Sequence, residues 1–141
     1  MADCVFCKII DGSIPSKKVY EDDYVYAFMD ITPLSKGHTL LIPKEHVANV
    51  FELSPETASH LFSVAPVIAN AIKDAFQPAG MNLLNNNGEA AEQSVFHFHL
   101  HFIPRYDEKD GYKPIWKTKE DEFTSDVITQ VADEIAAQLN K

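Results

Sequence analysis

Residues 97–103, His97-Phe98-His99-Leu100-His101-Phe102-Ile103, constrain this chain more than any other stretch. Successive side chains of an extended strand point to opposite faces. The alternation therefore puts His97, His99 and His101 on one face and Phe98, Leu100 and Phe102 on the other. The apolar row needs a core to fill, and the histidine row is then presented as a unit. Half of the six histidines in this 141-residue chain stand here. Thr or charged residues would serve a solvated sheet face as readily, so a chemical task for the row is favoured over a purely structural one. Two tasks fit. Neutral imidazoles bind transition metals. Alternatively, one imidazole attacks a phosphorus atom while its neighbours stabilise the anionic transition state. An attacking imidazole needs its other ring nitrogen held by an acceptor, and neighbouring strand carbonyls can supply one. Spacing alone does not choose between the two.

The rest of the chain reads as α+β with an antiparallel sheet. Val5, Phe6, Ile9 and Ile10 are spaced for one face of a short helix closed by Gly12 and Pro15. Strands are expected at 18–20, 24–29, 38–42 (ended by Pro43), 81–84 and 96–103 (stopped by Pro104). Ser54-Pro55 is a helix start, with Ser as N-cap and Pro in the first turn. Apolar residues from Ala58 to Ile72 then recur at helical spacing, with Pro66 expected to kink the helix. Residues 105–120 look irregular. A last helix fits 124–139, with Val127, Ile128, Val131, Ile135 and Leu139 on one face. His60 reads as an ordinary exposed or interface histidine, and Trp116 as a core or dimer-contact residue.

Length points to one domain. Twelve basic residues against 21 acidic ones give a net charge of −9, which argues against nucleic acid and anionic membrane partners. Any phosphate must be held by a small local site. No apolar run approaches the ~20 residues of a membrane span, and Met1-Ala2-Asp3-Cys4 lacks the basic start and apolar core of a signal peptide. Two cysteines are too few for a disulfide framework, so a cytoplasmic location is expected. Cys4 and Cys7 form a Cys-x2-Cys pair, which alone is either two reduced thiols or half of a metal site.

Residues 97–103 match the His-φ-His-φ-His-φ-φ motif, φ being apolar, of the histidine triad (HIT) family of nucleotide hydrolases and transferases. Gln93-Ser94-Val95, the segment Gly37 to His46, Phe28 to Pro33 and Phe6 to Ile10 resemble its flanking segments. The resemblance covers residues 4–105. It implies a HIT-like fold, with an antiparallel sheet of about five strands, one long central helix, a short N-terminal helix and, from periodicity, a C-terminal helix within the extension 106–141. It further implies that His99 is the nucleophile, forming a covalent nucleotidyl intermediate that water hydrolyses. His101 would contact a phosphate oxygen, and His97 and His38 would form the supporting hydrogen-bond network. Asp30 would bind the ribose hydroxyls, and Phe6, Ile9, Phe28 and Ile31 would wall the purine pocket. Asn86, Gln93 and Ser94 would lie near the phosphates or the leaving group.

Relatives carrying the cysteine pair complete a tetrahedral zinc site with two histidines, which here correspond to His46 and His97. The resemblance thus implies a structural zinc on Cys4, Cys7, His46 and His97, no organic cofactor, and a homodimer joined through sheets and long helices. The pattern lies nearest the Hint branch, which cleaves purine nucleoside phosphoramidates such as adenosine 5′-monophosphoramidate. The Ile103-Pro104-Arg105 ending instead resembles the dinucleoside polyphosphate hydrolases. A purine nucleotide-binding regulator with little turnover is the alternative from outside enzymology.

Overall fold

The computed structural model describes residues 3–141; Met1 and Ala2, half of the segment read above for a signal peptide, lie outside them. The chain forms α1 (Val5–Ile10), β1 (Lys18–Glu21), β2 (Val25–Met29), β3 (Thr39–Pro43), α2 (Pro55–Phe76), β4 (Gly80–Leu84), β5 (Leu100–Arg105) and α3 (Ser125–Leu139). A 3₁₀ turn at Glu89–Ala91 lies between β4 and β5. The five strands make one antiparallel sheet in the order β1-β2-β3-β5-β4, as the α+β reading expected.

Alternation divides the sheet into two faces. Val25, Ala27, Leu41, Leu100 and Phe102 pack with Leu61, Val64, Ala65, Ile68 and Ile72 of α2. Tyr26, Phe28, Leu40 and Ile42 point the other way and pack with Phe6 of α1. Each fully buried side chain of this size contributes roughly 1.5–3 kcal/mol, so β2 and β3, covered on both sides, anchor the fold. Ser54 caps α2, its hydroxyl accepting from the Thr57 N–H at 3.1 Å. The helix runs through Pro66 without interruption. That ring is exposed, and a carbonyl freed on the solvent side can turn to water.

Two strand ends differ from expectation. Pro43 and Pro104 belong to strands rather than stopping them. Pro43 is the last residue of β3. Pro104 pairs with Met81 of β4, whereas the β3–β5 pairing extends only to Phe102, so the missing N–H lies where β5 has become an edge on that side. The ladder also begins at Leu100 rather than Phe96. Upstream of it, the Phe98 N–H donates to the Val47 carbonyl at 2.8 Å. The side-chain alternation survives this departure: Phe98 is 1% exposed in the core, and His97 is fully buried on the opposite side.

The tail makes little use of the core. None of the residues of α3 is buried, and Ile115 and Trp116 are 93% and 88% exposed. Trp116 is therefore not a core residue. His60 has a partner, lying 2.8 Å from the Asp22 carboxylate, with its ring tilted against that of Tyr24 at 4.9 Å between centroids.

Candidate active site

The face opposite α2 carries a cavity of about 290 Å³ between α1, β2 and the histidine row. Phe6, Ile9, Phe28 and Ile31 line it, with Asp30 and Ser94 and the two rings of His99 and His101. Phe6 and Phe28 meet edge to face at 5.4 Å between centroids, and Phe6 stands edge-on to His99 at 5.1 Å. Ile31 is 88% exposed and forms the rim rather than a wall. The remaining wall includes Val5, Ile14, Met29, Leu40 and Val95, aliphatic residues that carry no sequence signal separating pocket from core.

Hydrogen bonds fix the tautomers of His99, His97, His38 and His101. His99 Nδ1 lies 2.8 Å from the main-chain carbonyl of His97. A carbonyl only accepts, so Nδ1 carries the proton and Nε2 keeps its lone pair. The same logic applies to His97, whose Nε2 lies 2.8 Å from the Pro43 carbonyl; its Nδ1 is the free nitrogen. In His38 the order is reversed. Its Nδ1 accepts the Leu34 N–H at 3.1 Å, so its proton sits on Nε2, 2.9 Å from His101 Nδ1. His101 accepts that proton's hydrogen bond and holds its own proton on Nε2.

Burial keeps this row neutral. It lowers the pKa of His99 and His38, the Asp30 carboxylate opposing the shift in both. Burial, with His99 and His38 adding to it, pushes His101 down to about 4. His97 is also pushed to about 4, burial being the largest cause. At neutral pH the row offers an unprotonated imidazole nitrogen on His99 and an N–H on His101, side by side with ring centroids 5.0 Å apart.

Asp30 stands at the end of β2 with one carboxylate oxygen accepting from the Thr32 N–H at 2.8 Å and hydroxyl at 3.0 Å. Its other oxygen lies 3.5 Å from His38 Nε2. Asp30, His38 and His101 together bring ligand-type atoms within 4.8 Å of one another. The His38 nitrogen in that group bears a hydrogen, however, so the trio suits a hydrogen-bonded chain better than a cation.

Of the three loop residues singled out in the sequence, Ser94 lines the cavity and Gln93 and Asn86 do not. Gln93 is 4% exposed, and its amide spans three main-chain groups: it accepts from Gly88 N–H and donates to the Ala48 and Val95 carbonyls. It shapes the loop and is not among the cavity-lining residues. Asn86 does not line the cavity either; its neighbour Asn85 donates to the His99 carbonyl at 3.0 Å. Three consecutive asparagines give no clue to which one turns inward. Backbone partners such as the Leu34 N–H and the Pro43 carbonyl are equally invisible in a sequence.

Next to the row lies the second cluster. Cys4, Cys7, His46 and His97 place one ligand atom each within 4.8 Å of the others. The separations are 3.5 Å (Cys4 Sγ to His97 Nδ1), 3.6 Å (Cys7 Sγ to His97 Nδ1), 3.3 Å (Cys7 Sγ to His46 Nδ1) and 3.2 Å (His46 to His97 Nδ1). Tetrahedral zinc, bound at about 2.3 Å to sulfur and 2.0–2.1 Å to nitrogen, sets its ligand atoms roughly 3.3–3.8 Å apart. The donor set fits in chemistry as well. His97 presents the nitrogen left free by its bond to Pro43, the arrangement by which an outer partner orients a ligating imidazole. Without a cation, burial and the neighbouring Cys4 raise the Cys7 thiol pKa, and a metal reverses that preference.

Comparison with known proteins agrees with this geometry. The family model described as HIT domain matches residues 11–108. Adenosine 5′-monophosphoramidase HNT1 of Saccharomyces cerevisiae is 41% identical over 139 residues, covering 98% of this chain and 84% of that protein. The crystal structure of a HIT family protein from Bacillus anthracis superposes with a TM-score of 0.94 at 58% identity, covering 96% of each chain. A structure titled as a Zn-bound histidine triad family protein, from Mycobacterium smegmatis, superposes with a TM-score of 0.74 at 33% identity, covering 94% of this chain and 98% of that one. With five antiparallel strands, three helices and the histidine row all in place, the chain belongs to the HIT domain family.

Proposed function

We propose that the protein is a nucleotidyl hydrolase acting on purine nucleoside phosphoramidates, with His99 as nucleophile. The observation that carries this reading is the bond from His99 Nδ1–H to the His97 carbonyl, which leaves an unprotonated Nε2 at a cavity that also holds an apolar slot and a carboxylate. The name of the yeast relative supports the substrate class. In the first step the His99 Nε2 lone pair forms a bond to the α-phosphorus, the bond to the leaving amine breaks, and the amine takes a proton from water, leaving a hydroxide that the proton released in the second step neutralises. In the second, water attacks the phosphorus, the His99–phosphorus bond breaks, and nucleoside monophosphate and neutral His99 are released with one proton. His101 Nε2–H donates to the phosphoryl oxygen as charge builds on it. Phe6, Ile9 and Phe28 wall the base with Ile31 at the rim, Asp30 takes the ribose hydroxyls, and Ser94 faces the leaving group.

Cys4, Cys7, His46 and His97 hold a zinc in this reading, supported by the fit of the donor set and by the Zn-bound mycobacterial relative. A site with four protein ligands has no open position, so the ion cross-links α1 to the histidine row rather than acting on substrate. The cross-link has a consequence for the pocket, because Phe6 sits between the two cysteines on α1. Reduced ligand thiols are also what a cytoplasmic location provides. A homodimer fits the exposed Phe62 and Val67 on α2 and Leu83 on β4, which is an edge strand.

Turnover of adenosine 5′-monophosphoramidate, measured against a dinucleoside polyphosphate, tests the reading. Faster phosphoramidate cleavage supports it, and preference for the polyphosphate transfers the assignment to that hydrolase class. Tight nucleotide binding with turnover of neither supports a binding protein.

A further inference from the structure

The tautomer chain that ends on His101 starts at a main-chain group, the Leu34 N–H, and Leu34 is itself held from outside the histidine segment. The Gly111 N–H donates to the Leu34 carbonyl at 2.7 Å. The Tyr106 hydroxyl donates to the Lys36 carbonyl at 2.8 Å, and Ser35 Oγ donates to the Pro104 carbonyl at 2.6 Å. The loop 31–37 is thus tied at three successive residues, Leu34, Ser35 and Lys36, to the chain just after the histidine row. The clamp is itself internally hydrogen-bonded. One oxygen of Asp110 accepts from the Tyr106 N–H at 2.7 Å, the Asp107 N–H at 3.3 Å and Arg105 Nε at 3.3 Å. Arg105 in turn donates to Asn82 Oδ1 of β4 at 2.7 Å.

We propose that the Tyr106–Gly111 turn is a positioning element for the candidate site: by holding Leu34 it keeps the Leu34 N–H on His38 Nδ1, and so makes His101 a donor at Nε2. The argument is one of proton accounting. If the Leu34 N–H moves away, His38 Nδ1 is free to carry the proton instead. His38 Nε2 then has a lone pair facing His101 Nδ1, and two lone pairs at 2.9 Å are tolerated only if His101 shifts its own proton to Nδ1. His101 Nε2 would lose its hydrogen and present a lone pair to an anionic phosphoryl group. A rearrangement that moves no side chain far would thereby turn a stabilising contact into a repulsive one. Gly111 lies beyond the matched family segment, 11–108, and close packing explains why it is a glycine. A Cβ there would stand 3.0 Å from the Leu34 carbonyl oxygen and 3.4 Å from Leu34 Cα.

The role rests on the nucleotidyl-transfer reading for its purpose, and the test separates the two. Gly111→Ala pushes on Leu34, and Tyr106→Phe removes one tie with little change of shape. Asp22→Asn, in the β1–β2 region, serves as a control for general loss of stability. Histidine ring nitrogens in ¹⁵N-labelled protein give separate signals for the protonated and bare positions. Wild-type protein is expected to show His38 and His101 both protonated at Nε2. Gly111→Ala is expected to show mixed tautomers at both residues, with kcat for the phosphoramidate down roughly tenfold, short of the 10²–10³ typical when a donor is removed outright, and KM little changed. Tyr106→Phe should move both readouts the same way by less. Unchanged tautomers in both variants, or an equal change in Asp22→Asn, overturn the proposal. A tautomer shift in a protein that cleaves no phosphoramidate upholds the positioning role and counts against the activity it was assigned to serve.

Discussion

His99 Nδ1 lies 2.8 Å from the main-chain carbonyl of His97, two residues back along the same strand. One short bond therefore joins the two clusters. The His97 side chain faces the cysteines, while its carbonyl fixes the proton of the neighbouring imidazole. In the proposed reading, the backbone of this single residue separates a structural task from a chemical one.

Replacing His99 by Ala removes the only row member with a bare nitrogen at the cavity. We expect kcat to fall at least about a thousandfold, on the order of 4 kcal/mol of barrier. Nucleotide affinity should change little, because the apolar slot and Asp30 remain. Calorimetric titration with AMP alongside turnover assays checks both halves, and an active His99→Ala protein refutes the assignment.

The pH dependence follows from the direction of the His99 shift. The attacking form is neutral, and burial lowers its pKa below the ordinary imidazole value of about 6.5. The kcat/KM profile should stay flat on descending through pH 6.5 and fall only at lower pH. An acidic limb centred at or above 6.5 would mean that the reacting group is solvated.

Metal analysis of untagged protein should find about one zinc per chain. Cys7→Ser should lose most of it and lower Tm by several degrees, as expected when a loss of 1–2 kcal/mol falls on a domain this size. It should also raise KM for nucleotide, because Phe6 is no longer pinned beside His99. Full activity in metal-free, folded protein would remove the zinc from the account.

Asp22 ties α2 to the β1–β2 hairpin. Its carboxylate accepts from the Tyr24 and Val25 N–H groups at 2.8 and 2.9 Å, from the Tyr20 hydroxyl at 2.9 Å, and stands 2.8 Å from His60 Nε2. Burial opposes the charge, but these hydrogen bonds, led by that of His60, outweigh it and hold the pKa well below the usual carboxylate range. A group depressed in the folded state contributes stability above its unfolded pKa of about 3.9, and loses it as pH falls toward the folded value. Asp22→Asn should cost about 1–2 kcal/mol at pH 7. The gap to wild type should close below pH 4, as read by denaturant midpoints.

The sequence carried the histidine row, the Ser54–Pro55 helix start and the sheet class, because each depends on side-chain periodicity or a local cap. It carried the cysteine pair by spacing, while its closure by His46 and His97 came only from the family resemblance, since His46 lies 39 residues from Cys7 and only the fold brings them within 3.3 Å. The late start of β5 was hidden because His97–His99 alternate as a strand does while Phe98 bonds to Val47 instead of a ladder partner. Gln93 and Asn86 fell outside the cavity for a related reason. In a polar loop many residues can hydrogen-bond the backbone, and composition does not say which side chain is left for a ligand. The solvent-facing stripe of α3 has the spacing of a buried one, so periodicity located that helix without telling what lies against it.

Mass spectrometry of protein quenched in acid-free denaturant during phosphoramidate turnover tests the central claim most directly. The account predicts a nucleoside monophosphate adduct on the peptide containing His99, localised to that residue and absent from His99→Ala. An adduct on another residue, or steady turnover with no adduct when the first step is made faster than the second, would contradict it.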